Sequence, residues 1–317
     1  MAEKLLSIVT GCYNEVENIP LFYERCLNVL QDYADEYDYE FIVADNCSTD
    51  GTRDVLREIA KRDKKFRVIM NANNFGHIRS PFNAFLSARG DVVFYICSDL
   101  QEPPEMLREF IKKYREGYKV VCGVKPQSRE NFMMFSLRRF YYWILSKFSD
   151  NATVRNFTGF GLYDKKVVEA MRLFDDPYPY FRGLISEIGF KRAEVPFVQE
   201  KRQFGKTKNN FFTLYDMAVT GFVNNTKIPL RLAVFTGFML GTLSLLVALV
   251  YFIYKLCFWD TFKLGLAPLV IGLFFFSGVQ LFFIGIVGEY LGAVWTQVKH
   301  RPLVIEEEKL NFGDSDE

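Results

Sequence analysis

Histidine is scarce in this sequence: its 317 residues include only His77 and His300. Imidazole is a common metal ligand and general base, so this scarcity argues against histidine-based metal or acid–base chemistry. An excess of charge of one sign is also missing, because 39 Lys and Arg residues face 38 Asp and Glu residues. A balanced charge gives no indication of nucleic-acid binding, and we expect no nucleic-acid partner.

The cysteines do not have the spacing of a metal or disulfide framework. Six are scattered along the chain without a C-x-x-C pair, mostly within apolar runs. This pattern is typical of small buried thiols in a reducing compartment. A targeting segment is not expected, because the apolar run at 5–9 is too short for the core of a signal peptide.

Apolar runs alternate with amphipathic segments in the first part of the chain. The runs predict strands at 5–9, 39–44, 66–70, 92–96 and 120–123. Between these runs, the spacing of the apolar residues within each segment predicts helices at 19–33, 53–61 and 80–88. Strands that alternate with helices form a mainly parallel sheet with crossover connections, so the sequence predicts an α/β fold.

The fourth predicted strand ends in a polar segment with two prolines, at 97–105. Prolines cannot continue a strand, and Pro104 fits the first turn of a following helix. Asp99 and Gln101 should therefore lie at the carboxyl edge of the sheet, where open α/β sheets bind ligands. Their oxygens suit a hard divalent cation that takes its other ligands from a diphosphate and water.

A second acid, Asp45, follows the second predicted strand and opens the polar loop 45–52. The carboxyl ends of parallel strands share one edge of a sheet, so we expect Asp45 to contact the same ligand. Asp50 lies in the same loop before the helix that begins near Arg53. We favour a helix N-cap over a ligand role for Asp50.

The middle of the chain contains apolar segments that also carry basic residues. The segment 132–148 has the composition of a helix in a membrane interface; the alternative is a core helix of a larger soluble domain. A second such segment, 211–230, follows the basic run 201–208.

Two long uncharged stretches, 232–254 and 264–288, dominate the last third. Each is long enough to cross a hydrocarbon core of roughly 30 Å, so the sequence predicts a transmembrane hairpin. Basic residues flank its outer ends, which places the N-terminal domain and both termini in the cytoplasm of a multi-pass protein of the cell membrane. Glycines in both stretches favour close helix contacts, either within one chain or in a homo-oligomer.

These boundaries predict five parts. They are a domain at 1–208 with an interfacial helix at about 130–148, a juxtamembrane amphipathic helix at 209–230, transmembrane helices at 231–255 and 264–289, and a cytoplasmic tail at 290–317.

Several short motifs occur in a fixed order over nearly the whole chain. They are Tyr13-Asn14-Glu15, Asp45-x-x-Ser48-Thr49-Asp50-Gly51-Thr52, Asn74-Phe75-Gly76, Asp99-Leu100-Gln101-x-Pro103-Pro104-Glu105, Gly205-Lys206-Thr207-Lys208, Pro229-Leu230-Arg231 and Gly288-Glu289-Tyr290-Leu291-Gly292. The ordered set resembles the family 2 glycosyltransferases that load a sugar onto a polyprenyl phosphate, such as dolichol-phosphate mannose synthase and the bacterial GtrB and ArnC types.

The resemblance implies a GT-A fold, Mg²⁺ or Mn²⁺ as cofactor, and a nucleotide-diphosphate sugar, preferably a UDP-hexose, as donor. It also implies inverting transfer to polyprenyl (undecaprenyl) phosphate at the cytoplasmic membrane face. The implied catalytic residues are Asp99, Gln101 and Arg129, of which Asp99 and Gln101 hold the metal. The implied nucleotide-sugar contacts are Tyr13, Glu15, Asp45 and Ser98, and the implied lipid-phosphate contacts are Arg129, Arg138, Arg139 and Lys208.

The chain departs from the family pattern where acids are expected. Cys97 replaces the first acid of the metal motif, Asn46 replaces the second acid of the second loop, and Asn156 or Gly159 stands where a later acid is expected. These losses keep open a second hypothesis, a catalytically silent membrane scaffold that binds nucleotide sugar or lipid phosphate. A processive polysaccharide synthase is disfavoured, because the sequence has no Q-x-x-R-W motif.

Overall fold

The computed structural model of the chain describes residues 4–125, 157–202, 204, 228–258 and 266–313. The chain divides into two compact units, Met1–Phe211 with Lys299–Glu317, and Phe212–Val298. Several predictions lie outside the described residues. They concern the interfacial helix at 130–148, most of the juxtamembrane helix at 209–230, and the residues Arg129, Arg138, Arg139, Asn156 and Lys208.

The first unit is built on a mixed sheet. Its strands are β1 (Lys4–Cys12), β2 (Tyr37–Asp45), β3 (Phe66–Asn71), β4 (Val92–Tyr95), β5 (Val120–Val124), β6 (Phe157–Asp164), β7 (Arg192–Pro196) and β8 (Glu306–Leu310). Their order in the sheet is β7-β5-β6-β4-β1-β2-β3-β8. The central strands β4, β1, β2 and β3 are parallel, whereas β6 and β8 run antiparallel to their neighbours. The prediction of a mainly parallel α/β sheet is confirmed.

Helices follow most of the strands. They are α1 (Asn18–Leu30), α2 (Thr52–Arg62), α3 (Gly76–Leu86), α4 (Leu107–Arg115), α5 (Lys165–Arg172), α6 (Phe181–Ile188), α7 (Ile228–Cys257) and α8 (Leu266–Val298). Short 3-10 helices span Gln31–Tyr33 and Pro104–Met106. In α4 the apolar residues Leu107, Phe110 and Ile111 are buried, and basic residues occupy its last turn, where they complement the helix dipole.

The core of the first unit lies on both faces of the sheet. Along β1, Ile8 belongs to one buried cluster and Val9 to the other, and Phe41 and Ile42 divide in the same way along β2. A parallel strand that is covered on both faces needs apolar residues at successive positions. This burial explains why the predicted strands are mostly apolar on both faces.

Strand β8 lies within the segment predicted as a cytoplasmic tail. It pairs antiparallel with the edge strand β3, with Ile69 opposite Lys309 and Met70 opposite Glu308. After it, the Asn311 side-chain amide donates to the Ala60 carbonyl at 2.7 Å and to that of Phe66 at 2.8 Å. The chain that follows α8 therefore covers an edge of the sheet, which the sequence analysis did not predict.

The second unit contains α7 and α8. In the described part of the chain, one helix, Gly272–Val298, is long and apolar enough to cross a membrane by its length and composition, and Pro229–Ser244 forms a shorter apolar helix. Large apolar side chains on both helices are exposed, among them Phe238, Phe274 and Phe282. The transmembrane hairpin and the domain boundaries stay predictions.

Candidate active site

The loops that follow β1, β2 and β4 meet at one edge of the sheet. Cys12 at the end of β1 lies opposite Asp45 at the end of β2, and the Ile96 amide after β4 donates to the Val9 carbonyl at 3.1 Å. Each of these loops contains a non-glycine residue with left-handed backbone: Asn14 (φ 56°), Cys47 (φ 65°) and Leu100 (φ 59°). Such strained conformations often mark functional sites.

The turn after β4 presents Asp99 and Gln101. Leu100 between them is 1% exposed and belongs to the core, which leaves its two neighbours half-buried at the surface. The Gln101 amide donates to Asp99 Oδ1 at 3.1 Å and closes the turn. The anchored leucine thus accounts for the exposure of both predicted metal ligands at the carboxyl edge.

The oxygen ligands of Asp99 and Gln101 fit a cation that takes most of its other ligands from substrate and water. Among the described residues, no group of three or more His, Cys, Asp or Glu side chains could hold a metal ion. One carboxylate and one amide oxygen suffice for Mg²⁺ when phosphate oxygens supply the rest. Asp99 and Gln101 therefore fit a diphosphate-bound cation rather than a metal held by protein alone.

Glu102 is a buried acid beneath this turn, and sequence reasoning gave it no role. Its side chain is turned inward, where it accepts hydrogen bonds from the Cys97 amide at 3.0 Å and from Thr158 Oγ1 at 2.7 Å. Burial raises the pKa of Glu102, although these hydrogen bonds and the positive charge of Lys125 oppose the rise. Only its position between Gln101 and the two prolines hinted at a buried turn.

Two of the positions where an acid is missing have distinct surroundings. Cys97 is exposed at the edge of the sheet. Gly159 has a φ of 107°, and a Cβ there would lie 3.1 Å from Tyr95 Cε1. An acidic side chain at 159 would be strained, so Gly159 is not a natural place for the missing carboxylate.

Asp45 is 0% exposed, so its carboxylate faces the protein interior. Arg53 Nε donates to Asp45 Oδ2 at 2.7 Å, and the Ser48 amide donates to the same oxygen at 3.2 Å. The predicted contact between Asp45 and a nucleoside stays a prediction. In the structure this carboxylate organises its own loop.

Asn46 joins the second loop to the loop after β3. Its Nδ2 donates to Asn74 Oδ1 at 2.7 Å and to the Gly76 carbonyl at 3.2 Å, and its Oδ1 accepts from the Phe75 amide at 2.8 Å. A carboxylate could accept the bond from Phe75 but could not donate the other two. The amide that replaces the expected acid therefore matches its neighbours.

Asp50 is not the N-cap of α2, contrary to the sequence prediction. Gly51, with a φ of 94°, takes that position. Asp50 Oδ1 instead accepts from the backbone amide of Thr52 at 3.1 Å and from its hydroxyl at 2.5 Å. Burial raises the pKa of Asp50, but these bonds and one from the Val16 amide outweigh it, so the pKa is lowered. The prediction was wrong by one residue because the left-handed turn needs a glycine.

The remaining predicted donor contacts line the same edge. Glu15 is 9% exposed and receives hydrogen bonds from Asn18 Nδ2 at 2.5 Å and from the Arg202 guanidinium. Ser98 Oγ donates to the Gly11 carbonyl at 3.0 Å, so its hydroxyl links the loop after β4 to the end of β1. Tyr13 is half-buried in the first loop. The roles assigned to these residues stay predictions.

Arg202 was not among the predicted site residues, although it lies in the basic run 201–208. Besides binding Glu15, it is close in sequence to Glu200, whose amide donates to the Gln101 carbonyl at 3.0 Å. This short segment therefore contacts both the first loop and the loop after β4.

Comparison with known proteins gives matches over nearly the whole chain. The family model described as glycosyl transferase family 2 matches residues 7–171. The uncharacterized glycosyltransferase YkcC of Bacillus subtilis (strain 168) is 31% identical over 300 residues, which cover 94% of this chain and 92% of that protein. The bactoprenol glucosyl transferase of Shigella phage SfV is 28% identical over 306 residues, covering 96% and 99% of the two chains.

Solved structures also match. Glucosyl-3-phosphoglycerate synthase from Mycobacterium tuberculosis, in complex with Mn²⁺, uridine diphosphate and phosphoglyceric acid, gives a TM-score of 0.47 at 20% identity over 68% of this chain and 75% of that chain.

Proposed function

The chain belongs to glycosyl transferase family 2, and from this membership we propose that it transfers a sugar from a nucleotide-diphosphate sugar to a polyprenyl phosphate at the cytoplasmic face of a membrane. The bactoprenol glucosyl transferase of phage SfV, which matches end to end, supports the lipid acceptor. The family pattern supports a UDP-hexose donor. The observation that carries the proposal is the Asp99-Leu100-Gln101 turn, which presents two oxygen ligands at the edge where parallel sheets bind substrates.

The proposed reaction breaks the bond between the anomeric carbon of the sugar and the diphosphate oxygen, and forms a bond from that carbon to an oxygen of the lipid phosphate. A phosphate monoester with a second pKa near 6 is already largely anionic at neutral pH, so the attack needs no general base from the protein. Attack opposite the leaving group inverts the anomeric centre. The protein mainly aligns the two substrates and neutralises the leaving group.

Asp99 and Gln101 are the proposed holders of Mg²⁺ or Mn²⁺. Such a cation would neutralise charge on the departing nucleoside diphosphate. Lys125 is a further cation of this edge, since its charge acts on Glu102 below the turn. Arg129, Arg138, Arg139 and Lys208 remain the proposed contacts of the lipid phosphate, because arginine binds phosphate oxygens in a bidentate manner.

A membrane hairpin is supported by how the chain is divided between the two units. Residues before and after the second unit, Phe212–Val298, belong to the same first unit. An odd number of crossings would place parts of one folded sheet on opposite sides of the membrane, which is impossible. If α8 crosses, α7 therefore crosses with it, and its 30 residues give a length of about 45 Å.

The test is the substitution Asp99→Asn in the detergent-solubilised full chain. An asparagine keeps the acceptor for the Gln101 amide and removes the charge, so the turn survives while cation binding weakens. We expect kcat/KM for sugar transfer to fall by about 100-fold or more.

Glu105→Gln is the matched control. Glu105 lies just after the turn, in the 3-10 helix Pro104–Met106, and its carboxylate binds the guanidinium of Arg25, at 2.6 Å and 3.1 Å. Its replacement should leave kcat/KM within about twofold of the wild-type value, because the pair is partly exposed. Full activity of Asp99→Asn would contradict the assignment of the metal ligands.

A further inference from the structure

The chain that follows the second unit returns to the side of the candidate site. Strand β8 lies beside β3, and the Ala72 amide just after β3 donates to the Ile305 carbonyl at 2.9 Å. The strand begins with three consecutive acids, Glu306, Glu307 and Glu308. Glu306 accepts from Asn83 of α3, whereas Glu307 and Glu308 accept from Arg53 and Arg57 of α2. Both helices flank the predicted donor loops.

Arg53 links Glu307 to the candidate site. Its guanidinium donates through Nε to Asp45 Oδ2 at 2.7 Å, through Nη1 to Glu307 Oε2 at 2.7 Å and through Nη2 to the Asn71 carbonyl at 2.5 Å. The three acceptors lie on, or at the end of, β2, β8 and β3. A planar guanidinium held at three points has a fixed orientation. The Arg53 side chain is 19% exposed and that of Glu307 is 56% exposed, so solvent can replace part of this contact when Glu307 is lost.

Asp45, whose carboxylate Arg53 holds in place, is in turn connected by hydrogen bonds to the loop that carries the predicted donor contacts. It accepts from the Ser48 amide, and Ser48 Oγ in turn accepts from the Asn14 amide at 2.9 Å. Asn14 lies between Tyr13 and Glu15, the two predicted donor contacts of the first loop. A continuous chain of hydrogen bonds therefore runs from Glu307 to the backbone of these residues.

We propose that Glu307 and Arg53 are positioning residues for the nucleoside diphosphate, so that strand β8 at the C-terminal end of the chain sets donor affinity. This proposal rests on the proposed function. Glu307 does not touch the substrate; it holds Arg53, which holds Asp45 and the loop wall. The effect falls on donor binding rather than on the chemical step, because the Asp99 turn lies on a different loop.

The neighbouring pair provides a matched control. Glu308 Oε2 accepts from Arg57 Nη2 at 2.8 Å, one residue further along β8 and one turn further along α2. The other acid paired with Arg57 is the exposed Asp54, at 3.4 Å. The two glutamates thus share a strand and a type of partner, but only Glu307 is connected to Asp45.

The experiment compares Glu307→Gln with Glu308→Gln in the detergent-solubilised full chain. UDP and GDP are titrated by calorimetry, and KM and kcat are measured with the active sugar donor. For Glu307→Gln we expect the Kd of the nucleotide and the donor KM to rise about two- to fivefold with kcat unchanged, the range expected for a half-exposed ionic hydrogen bond. Glu308→Gln should match the wild type in all of these values, although both variants lose a similar amount of thermal stability.

A double-mutant cycle separates positioning from a general weakening of β8. If Glu307 acts through Arg53, Glu307→Gln added to Arg53→Lys should produce no further rise in Kd. Equal Kd values for the two glutamate variants, or additive effects in the cycle, would overturn the proposal.

The same measurements distinguish failure of the proposed function from failure of the Glu307 proposal. Nucleotide binding without transfer in the wild type would reject the transferase function while the Kd comparison still tests Glu307. A wild-type chain that binds neither UDP nor GDP would reject both.

Discussion

Asn46→Asp restores an acid that the family pattern expects, yet we predict that it destabilises the protein. The asparagine donates two hydrogen bonds, to Asn74 Oδ1 and to the Gly76 carbonyl, and accepts one from the Phe75 amide. An aspartate keeps the accepted bond and turns a carboxylate oxygen toward two other oxygens. Because Asn46 is only 6% exposed, water cannot easily enter between the facing oxygens.

The magnitude follows from the two lost donor bonds. Each contributes about 1 kcal/mol net, and the facing oxygens add a smaller repulsion, so we expect a loss of about 2–3 kcal/mol in the free energy of unfolding. For a folded unit of this size, that loss lowers Tm by about 4–12 °C. Thermal unfolding of the full chain in detergent, followed by circular dichroism, measures the shift.

Asn73→Asp is the control with the same chemical change. Asn73 is exposed and its Oδ1 accepts from the Asn74 amide at 2.8 Å, a bond that a carboxylate also makes. Its Tm should stay within about 1–2 °C of the wild type, as for most surface substitutions. A Tm for Asn46→Asp equal to that of the wild type would refute the hydrogen-bond reasoning.

Three further predictions concern other parts of the structure. Burial raises the pKa of Glu102 in the folded state, so the free energy of unfolding of the wild type should fall as pH rises and the buried carboxyl loses its proton. Glu102→Gln lacks this dependence. In urea unfolding, the free energy of unfolding of the variant relative to the wild type should therefore increase from acidic toward neutral pH. Gly159→Asp should cost about 1–3 kcal/mol because of its φ of 107° and the nearby Tyr95 ring, and calorimetry should show no gain in Mn²⁺ affinity. In intact cells, a membrane-impermeant maleimide should label the exposed Cys257, the last residue of α7, and spare Cys97; the reverse pattern would contradict the proposed topology.

The central strands could be predicted because a strand that is buried on both faces of the sheet appears in the sequence as a mostly apolar run. β1, β2, β3 and β4 are largely apolar, and the polar residues of the candidate site follow the carboxyl ends of β1, β2 and β4. Crossover connections make these strands parallel, so their carboxyl ends share one edge of the sheet. The general location of Asp45 and Asp99 was therefore readable from sequence.

Strand β6 escaped prediction because its glycines weaken the strand signal. At Gly161 an added Cβ would lie 2.3 Å from the Val121 carbonyl, so the neighbouring strand requires a glycine there. Strand β8 escaped prediction because its acidic residues have low strand propensity. Their stabilising partners, such as Arg53 and Arg57, lie far away in sequence.

The details of the candidate site depend on side-chain partners that no local pattern encodes. Sequence reasoning predicted a ligand contact for Asp45, which stays a prediction, but it did not find that Arg53 binds the same carboxylate. It treated Asn46 as a lost acid, whereas the amide forms three hydrogen bonds across two loops. Such long-range pairing becomes visible only when the sheet has brought the loops together.

The most direct test of the central claim is sugar transfer by the detergent-purified full chain. Labelled UDP- and GDP-sugars are offered with undecaprenyl phosphate in the presence of Mg²⁺, Mn²⁺ or EDTA. The proposed function predicts a lipid-linked sugar from at least one donor, with formation abolished by EDTA. Donor binding without any lipid-linked product would contradict it and would favour a silent scaffold that binds nucleotide sugar.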